Sequence, residues 1–325
     1  MTPPFSLKEP KYDMNTVMGR SLYFVEAINP LLLLETKTSL EKHRELLKQW
    51  EKKEIKDVPD AKLWWSRNAL EQCIHPTSGE VIFPLFRMCS FLPLNFLLVP
   101  YMMLPSTVTS VSRTIFIQWL NQSINAAINY ANRSSDKQPA LEIFKAYTAA
   151  VTVACGGTLT ATMMLRRVSH ASLRGMIIRG TIPFLAVSVA GIVNLAVMRR
   201  NEWMRSGSGL EVKDEDGVPR GMSTQAGRDS LLKCSISRPV WNAPCMMLPT
   251  LLSMPIMRYY GSARRHPIMT ETLLQILGLS LGVPFALGLF NPIQTIPATK
   301  LEPRFQNLPR KSGAPVVNYT YYKGL

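Results

Sequence analysis

Five long runs without a charged residue limit what this chain can fold into more than any other feature. They cover residues 88–112, 146–165, 180–198, 239–257 and 272–299. A helix that crosses a bilayer needs about 20 mostly apolar residues, and a spanning segment must satisfy its own backbone hydrogen bonds. We therefore predict an all-α, polytopic helical membrane protein with about five transmembrane helices. A large soluble protein with buried core helices is the alternative, which five separate runs of this length disfavour. The predicted spans lie near residues 91–112, 146–165, 180–198, 239–257 and 272–296.

The distribution of charge divides the 325 residues into three parts. Residues 1–88 hold 13 Lys/Arg and 12 Asp/Glu, so this part is polar and nearly neutral. We predict that it forms a soluble or interfacial helical region. Residues 89–299 form the predicted membrane domain, and residues 300–325 form a carboxy-terminal tail.

The excess of positive charge, +15 for the whole chain, lies beside the apolar runs. Arg166 and Arg167 follow one run, and Arg199 and Arg200 follow another. A nucleic-acid-binding protein would instead carry a basic patch on a folded soluble domain. Because bases that flank apolar runs are typical of contact with anionic lipid headgroups, we predict a lipid bilayer, and no nucleic acid, as a partner.

Two helices and a turn are predicted in the amino-terminal region. The first helix covers residues 36–56, with Thr38 and Glu41 as a capping box. The second begins near Asp60 and ends at His75, because a proline follows and disfavours helix in the residue before it. The sequence that precedes these helices has no basic segment followed by an apolar core, so we expect no cleavable presequence.

The turn has the sequence HPTSGE, residues 75–80, and stands just before the first apolar run. His75 and Glu80 supply a titratable pair there, which suggests a proton or substrate relay at the mouth of a pore. In the alternative interpretation the segment is a structural turn, in which Thr77 or Ser78 caps and Glu80 pairs with a nearby arginine.

A row of carboxamides marks the predicted helix 114–132. At 3.6 residues per turn, its asparagines and Gln122 fall within an arc of about 100°. Carboxamides donate and accept hydrogen bonds without a net charge, so they can hold both ends of a small zwitterion. Interhelical hydrogen bonding is the alternative role. The candidate substrate-binding residues are Asn121, Gln122, Asn125, Asn129 and Asn132, together with His75 and Glu80 of the turn.

Prolines recur in three of the runs. They predict broken helices, whose free backbone groups can line a substrate path. The prolines are Pro93, Pro100 and Pro105 in the first run, Pro244, Pro249 and Pro255 in the fourth, and Pro284, Pro292 and Pro297 in the fifth.

Four motifs, in order and spacing, resemble the sideroflexins, a group also called tricarboxylate-carrier-like proteins. They are KEPKYD…GR near the amino terminus, HPTSGE, NQSINAAINYANRS, and YYKGL at the carboxy terminus. The resemblance covers residues 8–325. The turn of this chain differs from the family turn, His-Pro-Asp-Thr-Gly-Glu, at Thr77 and Ser78. It therefore lacks the aspartate of the family turn.

The resemblance implies a mitochondrial inner-membrane protein of about five spans. It also implies a carrier of serine or a related small amino acid that supports one-carbon metabolism, with a link to iron and haem homeostasis. The substrate expected from the resemblance is thus a small zwitterionic amino acid.

Two other functions compete with a serine carrier. The protein is alternatively a membrane scaffold or assembly factor linked to iron and haem homeostasis, or a carrier of a different small metabolite such as a carboxylate. An enzyme is the least favoured hypothesis. The four His and five Cys show no metal-ligand spacing, and the sequence contains neither a G-x-S-x-G motif nor a phosphate-binding loop. We therefore predict no catalytic residue, no metal and no cofactor. From the short basic loops, we predict that the amino terminus lies in the matrix.

Overall fold

The computed structural model describes residues 2–55, 57–75, 78–132, 140–165 and 173–324. Within them the chain forms a largely helical fold with short 3₁₀ turns and one small sheet. Three helices occupy the amino-terminal region: α1 Val17–Ala27, α2 Lys37–Glu51 and α3 Asp60–Cys73.

Helix α2 begins one residue after its capping residue. The Thr36 side chain accepts a hydrogen bond from the Ser39 N–H, and the Ser39 hydroxyl accepts one from the Thr36 N–H. The cap predicted at Thr38 with Glu41 is therefore wrong. Thr36 has the extended backbone that a cap requires, whereas Thr38 already lies inside the first turn.

The amino-terminal helices pack on two small apolar clusters. One joins Phe5 to α2 and α3, and the other joins the 3₁₀ turn Pro30–Leu34 to the same two helices. The buried members are Phe5, Leu47, Leu63 and Trp64 in the first cluster, and Leu32, Leu40, Ala69, Cys73 and Cys89 in the second.

Nine further α-helices follow within the described residues. Helix α10 packs against α8 and α12, helix α7 against α6 and α8, and helices α1 and α4 against α12. The helices are α4 Phe91–Met103, α5 Pro105–Val108, α6 Val111–Ala131, α7 Ala140–Leu165, α8 Leu173–Met198, α9 Arg200–Trp203, α10 Thr224–Tyr259, α11 Gly261–Arg265 and α12 Pro267–Gly288.

The prolines interrupt the helix in the first apolar run but not in the fourth. The first apolar run is broken, because Leu104 has an extended backbone before Pro105. Helix α10, in contrast, continues through Pro239, Pro244, Pro249 and Pro255. The break predicted in the fourth run is thus not observed. Close packing against α12 supports this stretch: a Cβ built on Gly278 would lie 2.5 Å from the Pro244 carbonyl oxygen, so only glycine allows the approach.

The all-α prediction is wrong for two separate segments, which form one antiparallel sheet in the order β2-β1-β4-β3. Helix α12 ends at Gly288, and the end of the predicted fifth span pairs as a strand instead of continuing the helix. The strands are β1 Leu210–Lys213, β2 Pro219–Ser223, β3 Ile293–Pro297 and β4 Asn318–Tyr322.

The residues predicted as a tail belong to the core of this sheet. Phe305, Tyr319 and Tyr321 are buried there against Val212. Glu302 accepts hydrogen bonds from the Thr224 N–H at 2.8 Å and from the Ser223 hydroxyl at 2.6 Å, at the start of α10. The carboxy-terminal segment therefore fixes the beginning of the longest helix.

Two helical stretches in the described part of the chain are long and apolar enough to cross a membrane, Val17–Leu34 and Pro267–Gly288. The second coincides with most of the fifth predicted span. The first lies in the region for which the sequence predicts a soluble or interfacial location. Met88–Met103 and Val187–Met198 are shorter apolar helices. The count of five spans stays a prediction.

Candidate functional site

The carboxamide row lies on α6, as the spacing predicts. Asn121, Gln122 and Asn125 are each partly buried. Their side chains make no hydrogen bond with any residue that the structure describes. A carboxamide that is partly buried without a protein partner needs water, a ligand or a partner molecule, because an unmade hydrogen bond costs about 1–3 kcal/mol.

The contact between α6 and α7 does not use this row. Ser123 and Tyr147 join the two helices by a hydroxyl–hydroxyl hydrogen bond of 2.7 Å. Ser123 lies roughly 150° around α6 from the centre of the row, at about 100° per residue. The polar link between these helices therefore leaves the carboxamides free, which disfavours an interhelical role for them with α7.

The last asparagine of the predicted stripe is used differently. The Asn132 amide donates to the Phe86 carbonyl at 2.8 Å and to the Ile128 carbonyl at 2.7 Å. It ties the end of α6 to the segment that precedes α4. The Asn129 side chain lies outside the described residues. The described row thus consists of Asn121, Gln122 and Asn125.

The His-Pro turn is closed by backbone hydrogen bonds. The His75 N–H donates to the Glu80 carbonyl at 2.8 Å, and the Gly79 N–H donates to the His75 carbonyl at 3.0 Å. Gly79 has a φ of +71°, which favours glycine. The His75 ring is buried, and its Nδ1 lies 3.3 Å from the Ser78 N–H. Pro76 and Thr77 lie outside the described residues.

Glu80 faces a different place from the carboxamide row. It lines an open groove of about 450 Å³ between the turn and α2. Lys37, Glu41 and Arg44 of α2 line the same groove, so it presents both signs of charge. These three residues are not among the site residues predicted from the sequence. Their spacing of i, i+4 and i+7, which puts them on one helical face, is the signal that identifies them.

The cysteines are structural in this fold. All five are free. Burial raises the pKa of Cys73 to about 11 and that of Cys89 to about 12, so both are neutral thiols at physiological pH. Among the described residues, no group of three or more His, Cys, Asp or Glu is placed to hold a metal ion.

Comparison with known proteins gives a consistent family. The profile of the sideroflexins matches residues 6–325. A sideroflexin of Dictyostelium discoideum is 34% identical over 99% of this chain and 98% of its own length. Human sideroflexin-5 is 30% identical over 93% of this chain and 88% of its length, and mouse sideroflexin-1 is 29% identical over 99% and 98%. No solved structure matches the chain. The family expected from the four motifs is confirmed, and the chain belongs to the sideroflexin family.

Proposed function

We propose that this protein is a secondary transporter of the mitochondrial inner membrane that carries a small amino acid, serine, in support of one-carbon metabolism. The observation that carries the proposal is the row of Asn121, Gln122 and Asn125, partly buried and without hydrogen bonds among the described residues. Membership of the sideroflexin family is consistent with it.

The outer face of α12 supports a location in the membrane. Large apolar side chains stand at every fourth position of this helix and are each about half exposed. Residues at this spacing share one helical face. An apolar stripe of this kind is suited to contact with lipid chains, because exposure of so much apolar surface to water is unfavourable. The stripe consists of Leu273, Leu277, Leu281 and Phe285.

Within a membrane, the carboxamides of α6 are suited to bind a polar substrate. Polar side chains in a bilayer face a water-filled cavity or a partner rather than lipid. Each amide oxygen accepts from an ammonium group, and each amide N–H₂ donates to a carboxylate or a hydroxyl. A serine molecule offers all three of these groups. The row is therefore suited to a small zwitterion and carries no net charge that would repel either of its ends.

Reconstitution of the purified full chain in liposomes tests the proposal. We expect uptake of radiolabelled serine that exceeds uptake by protein-free liposomes and accelerates when unlabelled serine is loaded inside. Uptake of a di- or tricarboxylate without serine would contradict the proposed substrate and favour the carboxylate carrier. Absence of uptake for both classes would favour the scaffold.

A further inference from the structure

Helices α8 and α10 enclose an arginine, Arg238, that has no acidic partner among the residues that the structure describes. The carbon chain of Arg238 runs along α8 at Gly191, where a Cβ would lie 3.8 Å from the arginine Cδ. Its guanidinium carbon lies 5.4 Å from the centre of the Trp241 ring. Within the described part of the chain, Arg238 makes no hydrogen bond and no ion pair.

The facing helix α8 carries a hydrogen-bond acceptor for which the described residues supply no donor. The Asn194 Oδ1 atom is buried and makes no hydrogen bond in the described structure. Asn194 follows Gly191 by three residues and so shares its face of α8. One turn further from Arg238, the Asn242 amide lies 3.4 Å from the buried Ser188 hydroxyl. The seam between α8 and α10 thus contains a cation and an acceptor that have no hydrogen-bond partner among the described residues.

The two basic neighbours of Arg238, Arg199 and Lys323, do not neutralise its charge. Arg199 is occupied by Glu202, by Ser230 at 2.8 Å and by the Cys234 sulfur at 3.4 Å. The buried Lys323 ammonium lies 3.8 Å from the same sulfur. Burial lowers the pKa of Lys323, and the charges of Arg199 and Arg238 add to this effect. An unpaired charge in such surroundings is costly unless an anion joins it.

We propose that the α8–α10 seam binds the charged ends of the substrate, with the carboxylate on Arg238 and the ammonium on Asn194 Oδ1. This inference rests on the proposed function and deepens it, because it assigns the class of ligand, an α-amino acid, to specific residues. A guanidinium presents paired N–H donors that match a carboxylate, and an amide oxygen accepts from an ammonium. The carboxamide row on α6 binds the same zwitterion elsewhere on the path, so the row and the seam are two separate sites along one route.

Binding of serine and of two truncated analogues to the purified full chain tests the assignment. Glycolate keeps the carboxylate and lacks the ammonium, whereas 2-aminoethanol keeps the ammonium and lacks the carboxylate. We expect R238Q to weaken serine binding about ten- to hundredfold, the loss expected for about 1.5–3 kcal/mol, and to leave 2-aminoethanol binding nearly unchanged. R238K keeps the charge without the paired donors, so it should recover part of the affinity.

The role of Asn194 as the acceptor for the ammonium is tested with the other analogue, glycolate. N194L should weaken serine binding and leave glycolate binding nearly unchanged. R258Q changes an exposed arginine at the far end of α10 and serves as the control. Melting temperatures of all variants report whether each one folds.

Two results would overturn the assignment in distinguishable ways. Wild-type affinity for serine in a folded R238Q would contradict the seam proposal and leave the proposed function in place. Failure of the wild-type protein to bind or transport serine would contradict the proposed function, and the seam proposal with it.

Discussion

The amino-terminal region and the helix bundle differ at several polar side chains: those in the first have protein partners, whereas some in the second have none among the described residues. In the amino-terminal region, Arg87 is 1% exposed and donates to the carbonyls of Ile82, Leu32 and Glu35 at 2.6–3.0 Å. In the bundle, the carboxamides on α6 and the guanidinium of Arg238 have no such partners among the described residues.

Glu35 extends the same pattern in the amino-terminal region. Its carboxylate accepts from the Trp65 indole at 2.9 Å and lies 3.2 Å from His43 Nε2, while His43 Nδ1 lies 2.8 Å from Ser66. A polar group that the protein itself satisfies stabilises the fold, whereas one left without a partner is available to a ligand. The comparison predicts that substitutions in the first region lower stability and substitutions in the second lower affinity.

The largest expected effect is that of R87L. Removal of the guanidinium leaves three carbonyls without their donor, each at a cost of about 1–3 kcal/mol. We expect little folded protein, measured as the yield after detergent extraction and as the melting temperature. R44L, on the exposed face of α2, should change stability by less than about 0.5 kcal/mol. Normal yield and melting temperature for R87L would show that the satisfied network is not what stabilises this region.

H75A should have a smaller effect on the same measurements. The buried ring accepts from the Ser78 N–H, and its loss removes a hydrogen bond inside the turn, worth about 0.5–1.5 kcal/mol. We expect a lower melting temperature with normal serine uptake per folded molecule. H266A, at an exposed histidine before α12, is the control. A normal melting temperature with lost uptake would instead favour the relay.

E302Q should have the smallest effect, and one that depends on pH. Burial tends to raise the pKa of Glu302, but hydrogen bonds from Ser223 and Thr224 outweigh it, so the pKa is lowered. The stabilisation is therefore present above the unfolded-state pKa, about 4.3, and is lost as the pH falls through the lower folded-state value.

We expect E302Q to lower stability at pH 7 by less than about 1 kcal/mol, because solvent screens this partly exposed group. The difference from wild type should shrink below pH 4 in thermal melts. E211Q, on an exposed position of β1, should show no such dependence. A difference that is constant between pH 7 and pH 3 would contradict the role of the ionised carboxylate.

The helices were predictable where local pattern decides them. The charge-free runs and the 3.6-residue period placed α3, α6 and the carboxamide row, because these depend on residues close together in the chain. The sheet was not predictable in the same way, since β1 pairs with β4 across the chain, with Lys213 opposite Thr320. Short strands that depend on distant partners leave a weak local signal.

The sequence also does not predict which polar side chains of the site have hydrogen-bond partners in the fold. The spacing of the asparagines indicates a shared face, but it does not distinguish Asn132, which is bonded to Phe86, from Asn125, which has no described partner. Likewise, in the sequence Arg238 is indistinguishable from the other basic residues that flank apolar runs. The structure shows that Arg238 packs against Gly191 of α8 and lies over the Trp241 ring.

The role of the carboxamide row in substrate binding can be tested by measuring serine uptake and melting temperature together on the same reconstituted variants. N121L and N125L remove polar partners without adding charge, and I124L changes an apolar residue of the same helix as the control. We expect both asparagine variants to keep their melting temperature and to lose about ten- to hundredfold in apparent affinity, because each loses hydrogen bonds of about 1.5–3 kcal/mol to a charged group. Unchanged affinity together with a lower melting temperature in both variants would contradict it, and would show that the carboxamide row is a packing device.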